Sequence, residues 1–174
     1  MTDATLPAAL PSRRTFVLVA GAGSLGLLLA AWFFQYVLGY APCAMCYWQR
    51  WPHMAAVAIA VLAAARLPAL AGFAVCMAGG LAAAASAGIG IFHTGVERGW
   101  WEGPASCTGG GGLAGLSGAD LLDPTAAAPV VMCDEIAWQL FGLTMANYNV
   151  AASLGLAVLW GVAAWQAGMR RAEA

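Results

Sequence analysis

The chain has 174 residues, of which 62% are apolar and 9% charged, and its formal net charge is −1. Soluble domains carry about 25% charged residues, so too few remain here to cover a water-facing surface, and the high apolar content excludes intrinsic disorder. Lysine is absent and no basic field exists for nucleic acid, which leaves a small integral membrane protein.

A membrane-spanning helix needs roughly 20 mostly apolar residues. The first such run covers about 15–38 and holds no charge. At its start, Ser12-Arg13-Arg14-Thr15-Phe16-Val17-Leu18 resembles a twin-arginine export signal. Its apolar stretch is about twice the length of a signal core and three more spans follow, so it is read as a retained span. Gly21-Ala22-Gly23-Ser24-Leu25-Gly26 fits G-x-G-x-x-G, but no acidic residue follows before Glu97. A dinucleotide fold needs one about 20 positions on, so these glycines are read as sites of close helix approach.

The second run, 51–65, lies between Arg50 and Arg66. It would cover about 22 Å of a core about 30 Å thick, so a spanning helix must reach back to the 43–46 segment. This predicts a span over about 46–65 with Pro52 as an internal kink. The third span covers about 69–92 and carries Cys76 as a small packing residue; the fourth covers about 146–168, before Arg170 and Arg171.

Arg13 and Arg14, Arg66, and Arg170 and Arg171 all fall on one side of a four-span layout. By the positive-inside rule that side is cytoplasmic, with both termini. The segment of about 94–145 then lies outside, with Glu97, Glu102, Asp120, Asp123, Asp134 and Glu135 against Arg98. Trp32, Trp48, Trp100 and Trp101 sit near outer boundaries, as an aromatic belt requires. Glycines 109–112 predict a mobile tether. Ser117-Gly118-Ala119-Asp120 reads as a capping box before a short helix at 120–122, stopped by Pro124 and Pro129. Residues 134–143 have a rough helical period, with Ile136, Trp138, Leu140 and Phe141 as interface anchors. The expected architecture is all-α: one transmembrane four-helix bundle over 1–174 with a long outer loop between helices 3 and 4.

Four of the five cysteines face the outer compartment, where disulfides persist. Cys43 and Cys46 form C-x-x-C at the start of the second span, where the helix dipole favours a thiolate. Arg50 stands one turn beyond Cys46, and a cation there favours a thiolate and can bond a ligand oxygen. Cys107 and Cys133 lie far apart in the outer segment. Four thiols raise zinc as a rival, but the second pair lacks a knuckle's close spacing and has no nearby histidine, so no metal is expected. Four cysteines allow three pairings, which spacing does not choose between.

Trp32-Phe33-Phe34-Gln35-Tyr36-Val37, then Pro42-Cys43-Ala44-Met45-Cys46 with Arg50, resemble the bacterial disulfide bond formation protein B family. So do His93-Thr94 at the end of the third span, the Cys107/Cys133 pair, and Phe141-Gly142-Leu143-Thr144-Met145 before the fourth. The resemblance covers nearly the whole chain in order. It implies a multi-pass oxidase of the bacterial inner membrane that reoxidises a periplasmic thioredoxin-fold (DsbA-like) dithiol protein and passes electrons to a membrane quinone, ubiquinone or menaquinone. It also implies the pairs Cys107–Cys133 and Cys43–Cys46. Carried over by position, the partner's thiolate attacks Cys107, Cys133 attacks Cys43, and Cys46 is left as a thiolate beside the quinone. Arg50 holds a quinone oxygen, and His93 lies near the ring. A related quinone or vitamin K-type reductase, and a non-catalytic protein with structural outer disulfides, are the competing readings.

Overall fold

The protein is described by a computed structural model at residues 11–64, 69–105, 107 and 131–172. Arg66, the glycine tether, and the capping box with its short helix and prolines lie outside these residues, as do the side chains of Arg170 and Arg171.

Four helices dominate: α1 (Arg13–Tyr36), α2 (Ala44–Ala63), α3 (Ala69–Glu97) and α4 (Met145–Ala172). The Ser12 hydroxyl caps α1 by accepting the Thr15 N–H at 3.3 Å. Pro52 lies inside α2 without ending it. The helices pack in a ring, each on its sequence neighbours, with α4 closing on α1. Helices α1, α3 and α4 are long and apolar enough to cross a bilayer. By composition α2 is not among them, because it carries Gln49, Arg50, Pro52 and His53, but its 20 residues cover about 30 Å. Leu29, Val61, Leu81 and Val158 are all more than half exposed, as side chains facing lipid are. The chain is a multi-pass membrane protein.

Small residues set the interhelical distances. A Cβ at Gly21 would run into Ala60, and one at Gly23 would meet Leu156 at 2.5 Å, so these two glycines of the motif serve close packing, whereas Gly26 has open space beside it. Trp160 is fully buried because Gly79 leaves room for its indole. Cys76 is buried in the same cluster with Val17, Ala60 and Ala163.

Two expectations need correction. The third helix continues past position 92 to Glu97, because backbone bonding continues where hydropathy fades; His93 therefore lies one turn before its end. Residues 134–143 are not helical. They form bends and a hairpin, β1 (Gln139–Leu140) against β2 (Leu143–Thr144), with Gln139 opposite Thr144. Phe141 (φ 51°) and Gly142 (φ 76°) are both left-handed, the geometry of a two-residue hairpin turn. Trp138 acts as an anchor, its ring 5.2 Å from Phe34 and 5.9 Å from Tyr148. Ile136, Leu140 and Phe141 are exposed.

Candidate redox site

Cys43 is the N-cap of α2, in extended conformation with no side-chain cap bond of its own. The first turn of α2 therefore leaves N–H groups near its sulfur. Cys46, one turn on, has its sulfur 3.4 Å away; both thiols are free. His93 reaches across from α3, its Nε2 3.6 Å from Cys43 Sγ. The Cys46 thiol donating to Cys43 is the largest influence, burial opposes it, and the His93 ring adds to it. Together they push the Cys43 thiol down to about 4.

Cys107 and Cys133 form a disulfide, as the resemblance implied. The bridge packs in one buried cluster with Cys43, Met45 and Val96. The two cysteine pairs, far apart in sequence, thus meet at the end of the bundle where α2 begins and α3 ends.

Cys46 opens on the other side into a cavity of about 300 Å³ between α1, α2 and α4, covered by Trp138 and Leu140. Its walls are mainly apolar, among them Leu27, Ala31, Phe34 and Met145, with Arg50, Gln49, His53, His93 and Asn149 as polar points. An apolar slot with a few convergent polar groups suits a flat lipophilic carbonyl compound. Pro52 does not turn Arg50 away: Arg50 and Cys46 line the same cavity. The Arg50 guanidinium donates from Nη1 to Gln35 Oε1 at 2.6 Å and lies 5.0 Å from the Tyr47 ring centre.

Cys43, Cys46 and His93 offer three ligand atoms within 4.8 Å of one another, a grouping able to hold a metal. Local bonding opposes this use. The Gln49 amide nitrogen stands 2.9 Å from His93 Nδ1, so Nδ1 accepts and Nε2 keeps its proton toward Cys43. Glu97 lies 3.9 Å from His93 Nε2 and accepts the Thr144 hydroxyl at 2.6 Å.

All six candidate residues from the sequence, Cys43, Cys46, Arg50, His93, Cys107 and Cys133, gather at this end. Gln35, Gln49, His53, Glu97 and Asn149 join them in the structure, with no site role assigned to them from the sequence. Their signal was present: polar side chains inside or at the ends of apolar spans are costly unless used.

No solved structure matches the chain. The Disulfide bond formation protein B of Saccharophagus degradans is 32% identical over 168 residues, 94% of this chain and 97% of its own. The model of the family described as Disulfide bond formation protein DsbB, whose members are generally quinone-linked, matches residues 13–163. The chain belongs to that family and is a membrane protein-disulfide oxidoreductase, a thiol oxidase.

Proposed function

We propose that the protein reoxidises a periplasmic thioredoxin-fold dithiol protein of DsbA type and delivers the electrons to a membrane quinone. The observation that carries this reading is the packing of the Cys107–Cys133 disulfide against Cys43, while Cys46 and Arg50 face the apolar cavity. In this reading the Cys107–Cys133 pair serves a water-soluble thiol and the Cys43–Cys46 pair a lipid-soluble acceptor.

The partner thiolate attacks Cys107 Sγ; a mixed disulfide forms and Cys133 leaves as a thiolate. Cys133 then attacks Cys43 Sγ of an oxidised Cys43–Cys46 pair, and Cys46 leaves as a thiolate. Exchange of this kind needs an accessible sulfur and a good leaving group. The partner's second thiolate releases it from Cys107, and Cys107 attacks Cys133. That restores the Cys107–Cys133 bond and frees Cys43, the bonding pattern of this structure. A bound quinone supplies a two-electron, two-proton acceptor. Arg50 would hold one of its oxygens beside Cys46, and His93 would lie near its ring, against the apolar walls. The protein is a single transmembrane domain of the inner membrane, with both termini cytoplasmic and Cys43, Cys46, Cys107 and Cys133 on the periplasmic side.

Purified protein given reduced partner is expected to lose quinone absorbance in step with partner disulfide formation. Cys46→Ser inserts but reduces no quinone; retained turnover in that variant sinks the proposal. An impermeant maleimide applied to reduced intact cells labels Cys107 and Cys133; labelling confined to opened cells sinks the sidedness.

A further inference from the structure

A line of hydrogen bonds crosses the bundle beneath the redox pair and takes a side chain from every helix. Ser24 Oγ of α1 lies 3.3 Å from His53 Nδ1 of α2. His53 Nε2 lies 3.0 Å from Asn149 Oδ1 of α4. The Asn149 amide donates to Gln49 Oε1 at 2.8 Å. Gln49 Nε2 lies 2.9 Å from His93 Nδ1 of α3, and His93 Nε2 faces Cys43. Gly90 leaves room beside the amide contact, since a Cβ there would lie 3.1 Å from Gln49 Oε1 and 3.3 Å from Asn149 Nδ2.

The line has one polarity. Asn149 Nδ2 also has Ser86 Oγ at 3.1 Å, which leaves Oδ1 to accept from His53 Nε2–H. Gln49 has its oxygen occupied by Asn149, so its nitrogen turns to the Met45 carbonyl and to His93 Nδ1. Nδ1 accepts, Nε2 carries the proton, and that proton points at sulfur. Bonds of uniform direction polarise one another, and the last one ends on an anion, the strongest acceptor in the series.

We propose that Gln49, Asn149 and His53 are positioning residues that hold His93 as an Nε2–H donor onto Cys43 and so make Cys43 the sulfur most readily expelled when its bridge to Cys133 is broken. This rests on the function proposed above. In that step Cys107 thiolate attacks Cys133 Sγ, the Cys107–Cys133 bond forms and the Cys133–Cys43 bond breaks. The electron pair stays on Cys43, and no further oxidant is needed. A stabilised thiolate leaves faster. Reversing the Gln49 amide, by itself or in answer to a reversed Asn149, would aim an oxygen at Nδ1, move the proton there and turn a bare Nε2 lone pair on the sulfur. Among the described residues, the other charged or titratable groups facing this end are Cys46 and Arg50 of α2 and Glu97 of α3, with Arg98 just beyond it; β2 and the start of α4 present uncharged Thr144 and Asn147.

The test is the pH dependence of Cys43 alkylation by iodoacetamide in the reduced full-length protein, read by mass spectrometry. Asn149→Leu touches neither Cys43 nor His93. It is expected to raise the midpoint by at least about one pH unit, an alkylation rate about tenfold lower below the midpoint. A folded Asn149→Leu protein with an unchanged midpoint overturns the proposal, because a merely structural residue would alter thermal stability alone. His53→Leu is expected to shift it in the same direction. Nitrogen-15 spectra of histidine-labelled wild-type protein in bilayers provide a check that needs no variant. Protonated Nε2 with bare Nδ1 on both histidines is expected; the opposite tautomer on His93 overturns the proposal. Neither measurement uses partner or quinone, so failure of quinone reduction in the wild type would count against the proposed function and leave this inference standing.

Discussion

Cys43 Sγ and His93 Nε2 lie 3.6 Å apart though 50 positions separate them in sequence, and this contact joins the start of α2 to the end of α3. The Cys107–Cys133 disulfide packs on the same spot. In the proposed mechanism, exchange between the pairs starts from this preformed contact at Cys43.

The Cys43 thiol, brought down to about 4, is a thiolate across the neutral range when the pair is reduced. Its folded value lies below the ordinary thiol value of 9.0, so the unfolded chain binds more protons between the two. The reduced form gains stability as pH rises through this window and loses it as pH falls toward 4. His93→Ala should narrow the window from its acid side. Denaturant unfolding of reduced protein at stepped pH measures both effects.

Arg50 is held by Gln35 and stacked on Tyr47, so its charge is aimed into the cavity rather than free to snorkel. Hydrogen bonds to charged groups contribute about 1.5–3 kcal/mol. Arg50→Leu is expected to raise the quinone KM about tenfold or more while the partner still forms a mixed disulfide with Cys107. Steady-state quinone titration and trapping of the mixed disulfide separate the two steps.

Gly79 lies beneath the Trp160 indole, where a new Cβ would meet ring carbons at 2.5 Å. Gly79→Ala should destabilise the bundle by about 1–3 kcal/mol through overpacking. Trp160→Ala should cost about 3–5 kcal/mol through the cavity it leaves. Thermal unfolding in detergent reads both, and the thiol chemistry of Cys43 should stay unchanged.

Thr144 is fully buried and donates to Glu97, tying the hairpin to the last turn of α3 beside His93. Thr144→Val keeps the shape but leaves a partly buried carboxylate short of a donor, at about 1–3 kcal/mol. Thermal unfolding checks the cost. A variant as stable as the wild type would show that Glu97 finds another donor.

The sequence alone determined that this is a membrane bundle, roughly where its helices lie and which cysteines to propose for the chemistry. Apolar run length against bilayer thickness is a one-dimensional property, and C-x-x-C before a helix is a local one. Helix bounds were misjudged mainly at α3, where helical bonding outlasts hydropathy at His93 and Glu97. The hairpin was misread because residues 134–143 mimic a helical period, although Gly142 after Phe141 was a turn signal. Only the tertiary structure decided that His93 meets Cys43, that Arg50 is held by Gln35, and that Gln49, Asn149 and His53 fall into one line. Those contacts depend on the rotation of each helix about its axis and on its depth beside its neighbours. Both are set by small residues such as Gly21, Gly79 and Gly90 at the crossings, which hydropathy does not register.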